Sequence, residues 1–365
     1  MTQAQYDFAV IGAGMAGASV GSELAAHAKV VLLEAEDQPG YHATGRSAAF
    51  WEECYGGPEI VPLTLASGAF LRDNGFLTQR GALYIGREQD SAALDAFMDR
   101  FADSGATIHR IAGSALAEKV PQLRADWGDA IWEPACADID VAGLHSHFLK
   151  RFHQSGGTLK TRAPLARARF NGDHWTLDCA GEQIQAKILV NAAGAWADQV
   201  ADCAGVKPLG ITPLRRTVVQ LRVDPAAPAD LPLVLDIGGG FYFKPDNGRL
   251  WLSPHDEVPS VPCDAAPEEL AVAQAIDRFE KVTQWRIENV ERKWAGLRSF
   301  APDRLPIYGH DAGVPQFFWF AGQGGSGIQT SPAAARLAAQ MLLGMPPDEM
   351  TASLQKETYC PTRFG

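Results

Sequence analysis

The chain has 365 residues, of which 46% are hydrophobic and 21% charged, with a formal net charge of −11 and a pI near 5.3. That length suggests about two domains with a cleft between them, and the composition is that of a globular enzyme rather than a disordered chain. The acidic balance excludes nucleic acid as a main partner, because phosphate binding needs clustered Lys and Arg.

Six cysteines (Cys54, Cys136, Cys179, Cys203, Cys263 and Cys360) stand far apart with no CxxC spacing. They outline neither a disulfide framework nor a zinc knuckle, so a reducing compartment is expected. The nine histidines show no metal spacing and no Ser-His-Asp order, so neither a metal site nor hydrolysis is expected. No basic segment with an apolar stretch opens the chain, and no apolar run reaches membrane-spanning length. The expectation is a cytoplasmic protein, with peripheral contact to the inner face of a membrane left open.

In chain order, residues 6–11 are β-rich and run directly into Gly12-Ala13-Gly14-Met15-Ala16-Gly17, a G-x-G-x-x-G turn. A helix is expected over 18–28 and a second strand over 29–33, ending in Glu34. The three glycines serve different ends, in that Gly12 permits the tight turn, Gly14 lets the backbone approach a pyrophosphate, and Gly17 lets helix and strand pack closely. The phosphates sit at the helix N-terminus. Glu34, about twenty residues past Gly14, can accept hydrogen bonds from a ribose diol and repels a 2′-phosphate.

The next segment, 38–49, is rich in small residues instead of continuing a regular βα repeat, and Trp51-Glu52-Glu53-Cys54-Tyr55-Gly56-Gly57 follows it. A helix is expected over 142–155, with Asp140 as its cap and Gly156-Gly157 as its stop. Residues 188–196 and 319–329 are apolar strands ending in small residues, and a closing helix is expected over 332–343. Between these segments, Phe241-Tyr242-Phe243-Lys244 and Leu250-Trp251-Leu252, joined through Pro245-Asp246-Asn247-Gly248, read as an antiparallel hairpin.

Thr44 to Ala49, together with 188–196 and 319–329 in that order, resemble the flavin-contacting segments of the FAD-dependent D-amino acid oxidase superfamily. The resemblance runs from Tyr6 to about Leu343 and is greatest to its D-arginine dehydrogenase branch. It implies an α/β chain with a Rossmann-like FAD-binding domain of the glutathione-reductase type and a second, antiparallel-sheet substrate domain. The expected division is 1–57, 143–207 and 292–365 for FAD, and 58–142 and 208–291 for substrate.

By the same resemblance, FAD is expected on Gly12, Gly14, Met15, Ala16, Gly17 and Glu34, and on Thr44, Gly45, Arg46, Ser47, Ala48 and Ala49. Thr44 and Ser47 offer hydroxyls to phosphate and ribityl oxygens, Ala48 and Ala49 leave room for a flat ring, and Arg46 complements the pyrophosphate charge. Later contacts are expected from Ala193, Gly194 and Trp196, then Gly324, Gly325, Gly327, Ile328, Gln329 and Thr330, with Arg298 nearby. Arg298, between apolar neighbours in 294–300, is expected to hold the substrate carboxylate in a fork, although the commoner fate of an arginine is a surface ion pair. Tyr242 matches the tyrosine that donates to the same carboxylate, Tyr55 falls where the nearest branch carries a lid, and Arg216 is a further candidate. The side-chain pocket is expected to involve Phe50, Trp51, Ala82, Gly325 and Gln329.

These residues imply hydride transfer from the Cα of a D-amino acid, apolar or of broad range, to the flavin. Where sarcosine oxidases carry a lysine, Trp251 takes its place, which implies a dehydrogenase passing electrons to a quinone or another acceptor. Oxidation of sarcosine, glycine or a 2-hydroxy acid, and a non-catalytic flavin-binding module, remain the alternatives. His42 resembles the position at which dimethylglycine and sarcosine dehydrogenases bond FAD, but the same pattern occurs where FAD is not covalently held, and non-covalent FAD is the expectation. Acid precipitation of the yellow protein should therefore release intact FAD into the supernatant; flavin retained in the pellet on a His42 peptide would contradict it.

Overall fold

The computed structural model describes residues 5–365. The strand Gln5–Ile11 alternates its side chains between two cores: Phe8 and Val10 pack on one face of the sheet, Ala9 and Ile11 on the other. The chain turns at Gly12, whose φ of +94° and close approach to the Ala192 carbonyl leave no room for a side chain. The helix Met15–Ala25 then begins inside the glycine turn, earlier than its apolar pattern indicates. Gly17 makes this possible, since a Cβ there would lie 1.7 Å from the Gly12 carbonyl oxygen.

Val30–Leu33, Gln5–Ile11, Glu182–Asn191 and Phe317–Ala321 pair in parallel as neighbours, with Thr158–Lys160 on the outer edge. The antiparallel strands Leu165–Phe170, Trp175–Cys179 and Ile307–His310 complete an eight-stranded sheet. The helices Met15–Ala25, Val141–Gln154 and Ser331–Leu343 cover one face of it. Asp140 caps Val141–Gln154, accepting from the Gly143 amide at 2.8 Å.

The second sheet has ten strands and is antiparallel except where Leu233–Asp236 runs parallel to Ala82–Gly86. Its longest pair is Thr212–Asp224 with Arg286–Phe300, so residues 292–300 are hydrogen-bonded along residues 212–220. The hairpin Tyr242–Asp246 with Arg249–Ser253 turns at Asn247 and Gly248, both at positive φ, as an Asn-Gly turn requires. Phe300 and Ser299 also pair with the short strand Gln323–Gly324, which directly follows Phe317–Ala321 of the first sheet. The two sheets are therefore stitched together at the point where both chains reach the central cavity.

A third sheet of three short strands joins Phe50–Trp51, Ala137–Ile139 and Leu77–Gln79. It fixes residues 50–51 against 137–139, with 77–79 on the other side of the same strand. No helix among the described residues is long and apolar enough to cross a membrane.

Candidate active site

A cavity of about 430 Å³ runs from the ends of the first two strands to the second sheet. At its first end lie Gly12, Gly14, Met15, Ala16 and Glu34. Glu34 is buried, and its carboxylate accepts from the amides of Ala13 at 2.7 Å and Glu36 at 3.0 Å, which fixes both oxygens beside the turn. Thr44 Oγ1 accepts from the Met15 amide at 2.9 Å, drawing the small-residue loop across the start of the helix.

Ser47, Ala48, Ala193, Gly194, Trp196, Gly324, Gly325, Gly327 and Ile328 continue the wall. The space suits a dinucleotide: a Cβ on Gly14 would meet only Thr44 Oγ1, at 3.2 Å, and a Cβ on Gly194 would meet nothing within 4 Å. Gly17 and Gly45 do not line the cavity; each accommodates a backbone carbonyl, of Gly12 and Gly40 respectively. Arg46 lines it, but its guanidinium is committed to Asp264 and to the carbonyls of Ala265 and Ala295. Its charge is thus met by protein and ties the loop to residues 264–265. His42 Nε2 bonds Glu36 Oε1 at 2.8 Å while its ring leans on Trp196.

At the far end, the cavity continues into a smaller chamber of about 40 Å³ walled by Arg298, Arg216, Tyr55, Tyr242, His255 and Glu52. Ser47, Ala48, Ala49, Phe50, Leu235, Gly325, Ile328 and Gln329 complete it. Arg298 and Arg216 project from one face of the long strand pair, since Arg298 opposes Leu214 and Arg216 opposes Gly296. Arg298 Nη1 donates to the Tyr55 hydroxyl at 2.5 Å, and among the described residues no carboxylate forms an ion pair with it. Arg216 donates to the Asp256 carbonyl at 2.8 Å and to Glu257 at 3.2 Å, but its buried Nη1 has no partner.

The two cations perturb their surroundings. Burial, then the neighbouring Arg298, push the Arg216 guanidinium down to about 10. Burial works against the Arg298 charge too, but Tyr55, Tyr242 and Glu257 outweigh it and hold its pKa above the ordinary arginine value. Burial and both arginines push His255 down to about 3, so the ring is neutral. Its Nδ1 faces the Gly239 carbonyl at 3.0 Å and must carry the hydrogen, which leaves Nε2 bare.

Two of the residues expected in the side-chain pocket lie elsewhere. Trp51 alternates away from Phe50, donates its Nε1–H to the Thr64 carbonyl at 3.0 Å and is covered by Arg72. Ala82 is buried in the core beneath Tyr84 and Tyr242. Thr330 is buried outside the cavity, its hydroxyl donating to the Ser326 carbonyl at 2.9 Å. The segment with Tyr55 is held by Gln329, whose amide bonds both backbone groups of Glu52, and by Glu133, which accepts from the Glu53 and Cys54 amides.

Sequence reading alone missed Glu133, His255 and Tyr84. Glu133 is fully buried, eighty residues from the Glu53 amide it holds, and no local pattern marks such a contact. His255 carries a weak signal: it stands at positive φ in His-Asp-Glu between two strands, next to the acids that reach Arg216 and Thr217.

A strand, glycine turn and helix with an acid closing the second strand, facing two arginines across one continuous cavity, define a flavin-dependent oxidoreductase. The chain belongs to the FAD dependent oxidoreductase (DAO) family, whose model matches residues 7–341, and its cofactor is FAD. It is 25% identical over 398 residues to mouse FAD-dependent oxidoreductase domain-containing protein 1, covering 93% of this chain and 81% of the relative. It is 24% identical over 359 residues to glycine oxidase from Geobacillus kaustophilus (strain HTA426), covering 93% of both chains. The solved structure of glycine oxidase from G. kaustophilus matches with a TM-score of 0.85 at 22% identity, over 99% of each chain. L-proline dehydrogenase from P. horikoshii gives 0.86 at 21% identity, over 99% of this chain and 98% of that one.

Burial pushes the Glu133 carboxyl up to about 7, against the two amides that donate to it. A carboxyl whose folded pKa lies above the unfolded one favours the fold fully below the unfolded value, and this contribution disappears as pH rises through the folded value. Glu133→Gln loses one of two backbone acceptor interactions but cannot ionise. Its Tm deficit relative to the parent should narrow between pH 5 and pH 8; a constant deficit would show that Glu133 does not titrate in that range.

Proposed function

We propose that this chain oxidises the Cα–N bond of a small amino acid, a D-amino acid with an apolar side chain, and that Arg298 binds the substrate carboxylate. The observation that carries this reading is the uncompensated charge of the chamber. A guanidinium taken out of water needs an anion, yet Arg298 has only the Tyr55 hydroxyl and Arg216 keeps a buried Nη1 without a partner. A substrate carboxylate supplies that anion and can accept a fork from Arg298, with Arg216 Nη1 and the Tyr242 and Tyr55 hydroxyls around it.

We assign the pyrophosphate to the turn 12–17 and Thr44, the ribose diol to Glu34, and the ring system to Ser47, Ala48, Ala49, Gly325 and Ile328. When bound, FAD supplies a two-electron acceptor for the hydride leaving Cα. The protein's part is to fix Cα by the carboxylate and to exclude water. Phe50, Leu235 and Ile328 give the remaining chamber wall an apolar character suited to an aliphatic side chain. The relatives are named for glycine and L-proline, both of which place an amine one carbon from a carboxylate. The D hand rests on the sequence resemblance. The acceptor would be a quinone or another carrier rather than oxygen: Trp251, in the place of the sarcosine oxidase lysine, packs edge-on against Trp294, and nearby Lys244 is held by Asp138.

A second reading, oxidation of glycine or an N-substituted glycine, is favoured by the small volume of the chamber, about 40 Å³. Anaerobic mixing with D- and L-amino acids, glycine, sarcosine and 2-hydroxy acids, followed by flavin absorbance, separates the two. We expect D-leucine and D-methionine to bleach the flavin faster than D-arginine, sarcosine or any L-enantiomer; bleaching by glycine and sarcosine alone would establish the second reading. In the same assay Arg298→Met should retain FAD but lower kcat/KM by roughly 10³-fold, because the buried carboxylate loses its bidentate partner. An undiminished rate would remove Arg298 from the site.

A further inference from the structure

An α-amino acid brings two charges into the chamber, and the arginines answer only one of them. Its ammonium also loses water on entering, and a cation left unpaired there is costly. One carboxylate lines the chamber: Glu52, 2% exposed, on the segment that directly follows Phe50–Trp51. Its Oε1 accepts from the Tyr84 hydroxyl, and Oε2 accepts from no described residue. The Gln329 side chain grips the Glu52 backbone amide at 3.3 Å and its carbonyl at 3.1 Å, so the position of this acid is built rather than incidental.

Resting on the reading above, that the substrate is an amino acid held by Arg298, we propose that Glu52 is the base of the site. Its carboxylate pairs with the substrate α-ammonium and takes one of its protons. In that step an N–H bond breaks with its electron pair left on nitrogen, and an O–H bond forms on Glu52. The nitrogen lone pair can then form the C=N bond as the Cα–H leaves with both electrons for the bound flavin, and the product is a protonated imine.

The charges facing Glu52 tune it for this role. Burial and the adjacent Glu133 raise its pKa well above the usual carboxylate range, while Arg298 across the chamber pulls it down. Tyr84 donates to it from below, and Cys54 and Cys136, both buried thiols with raised pKa, add no charge. Across the chamber stand Arg216, Tyr55, Tyr242 and the neutral His255. His255 is the rival acceptor through its bare Nε2, but a ring pushed down to about 3 holds a proton too weakly to remove one from an ammonium. Glu52 and Arg298 line the same chamber, so a cation paired with Glu52 stands in the chamber that Arg298 also lines.

The test uses the FAD-loaded protein, its Glu52→Gln variant and its Tyr84→Phe variant, with flavin content and Tm checked for each. At pH 7 the rate of flavin reduction by D-leucine should fall about 10²-fold in Glu52→Gln. This deficit should close as pH rises, because solution then supplies the free amine. The Kd of 4-methylpentanoate, the same acid without the amine, read from the flavin absorbance shift, should change less than about 3-fold. Tyr84→Phe, which loses a donor to the ionised carboxylate, should move the acid limb of the kcat/KM profile to higher pH. Parallel pH profiles in the parent and Glu52→Gln would overturn the assignment. So would a loss confined to D-lysine and D-arginine, which would make Glu52 a reader of side-chain charge. If the parent itself is reduced by 2-hydroxy acids and by no amine, the amino-acid reading fails, and this assignment falls with it.

Discussion

Two guanidinium groups side by side on one face of a strand pair, Arg216 buried and Arg298 half-buried, set the terms for this end of the cavity. Like charges in a low-dielectric cavity repel, and each carries a desolvation cost of several kcal/mol. The fold offsets part of this with groups brought from distant segments. Residues 254–260 loop back so that the Asp256 carbonyl and Glu257 meet Arg216, while the Asp256 carboxylate holds Thr217. The segment after Trp51 swings in so that the Tyr55 hydroxyl meets Arg298. What remains uncompensated, the Arg216 Nη1 and an Arg298 met only by a hydroxyl, faces the cavity.

The same constraint explains the architecture around it. Arginines so placed must come from a rigid support, and the pair Thr212–Asp224 with Arg286–Phe300 supplies it through continuous hydrogen bonding. Its end is anchored to Gln323–Gly324, and just after that Gly325 and Ile328 line both the larger cavity and the smaller chamber. Gly325 has no room for a side chain, since a Cβ would lie 1.9 Å from the Tyr55 hydroxyl oxygen. The sheet that carries the glycine turn and the strand pair that carries the two arginines therefore share one short segment, which fixes their separation.

How far the sequence revealed this depends on the range of the interaction. The strand, glycine turn and helix were readable because backbone geometry there demands particular residues within a few positions, as Gly12 and Gly17 show. Arg298 and Tyr242 stood out because polar side chains sat within apolar β-rich runs. Ala82 and Trp51 show the opposite case. Phe50–Trp51 is a two-residue strand, too short for alternation to indicate which side chain faces the cavity, and the tertiary packing turned Trp51 toward Thr64. Arg46 showed its charge but not its partner, since Asp264 lies more than two hundred residues away in sequence.

The acids behind the chamber are the most demanding part energetically, and Glu133, far from the segment it holds, is the one that the sequence did not mark. Glu52, Glu53 and Glu133 are all buried, and burial raises the pKa of each. Each is stabilised differently. Glu53 accepts from the Thr107 amide at 2.7 Å and feels Arg72, Glu133 accepts from two amides, and Glu52 has Tyr84 and the distant pull of Arg298. A chain selected for stability alone would place apolar residues here, since buried carboxylates weaken the fold as they ionise. The first two have a structural return, because they hold the backbone on which Tyr55 rides. Glu52 has no comparable one: its backbone is already fixed by Gln329, so its side chain is the one acid of the three whose cost the architecture does not explain. Strain and desolvation of that kind collect where a site must be prepared for a charge that arrives with the ligand.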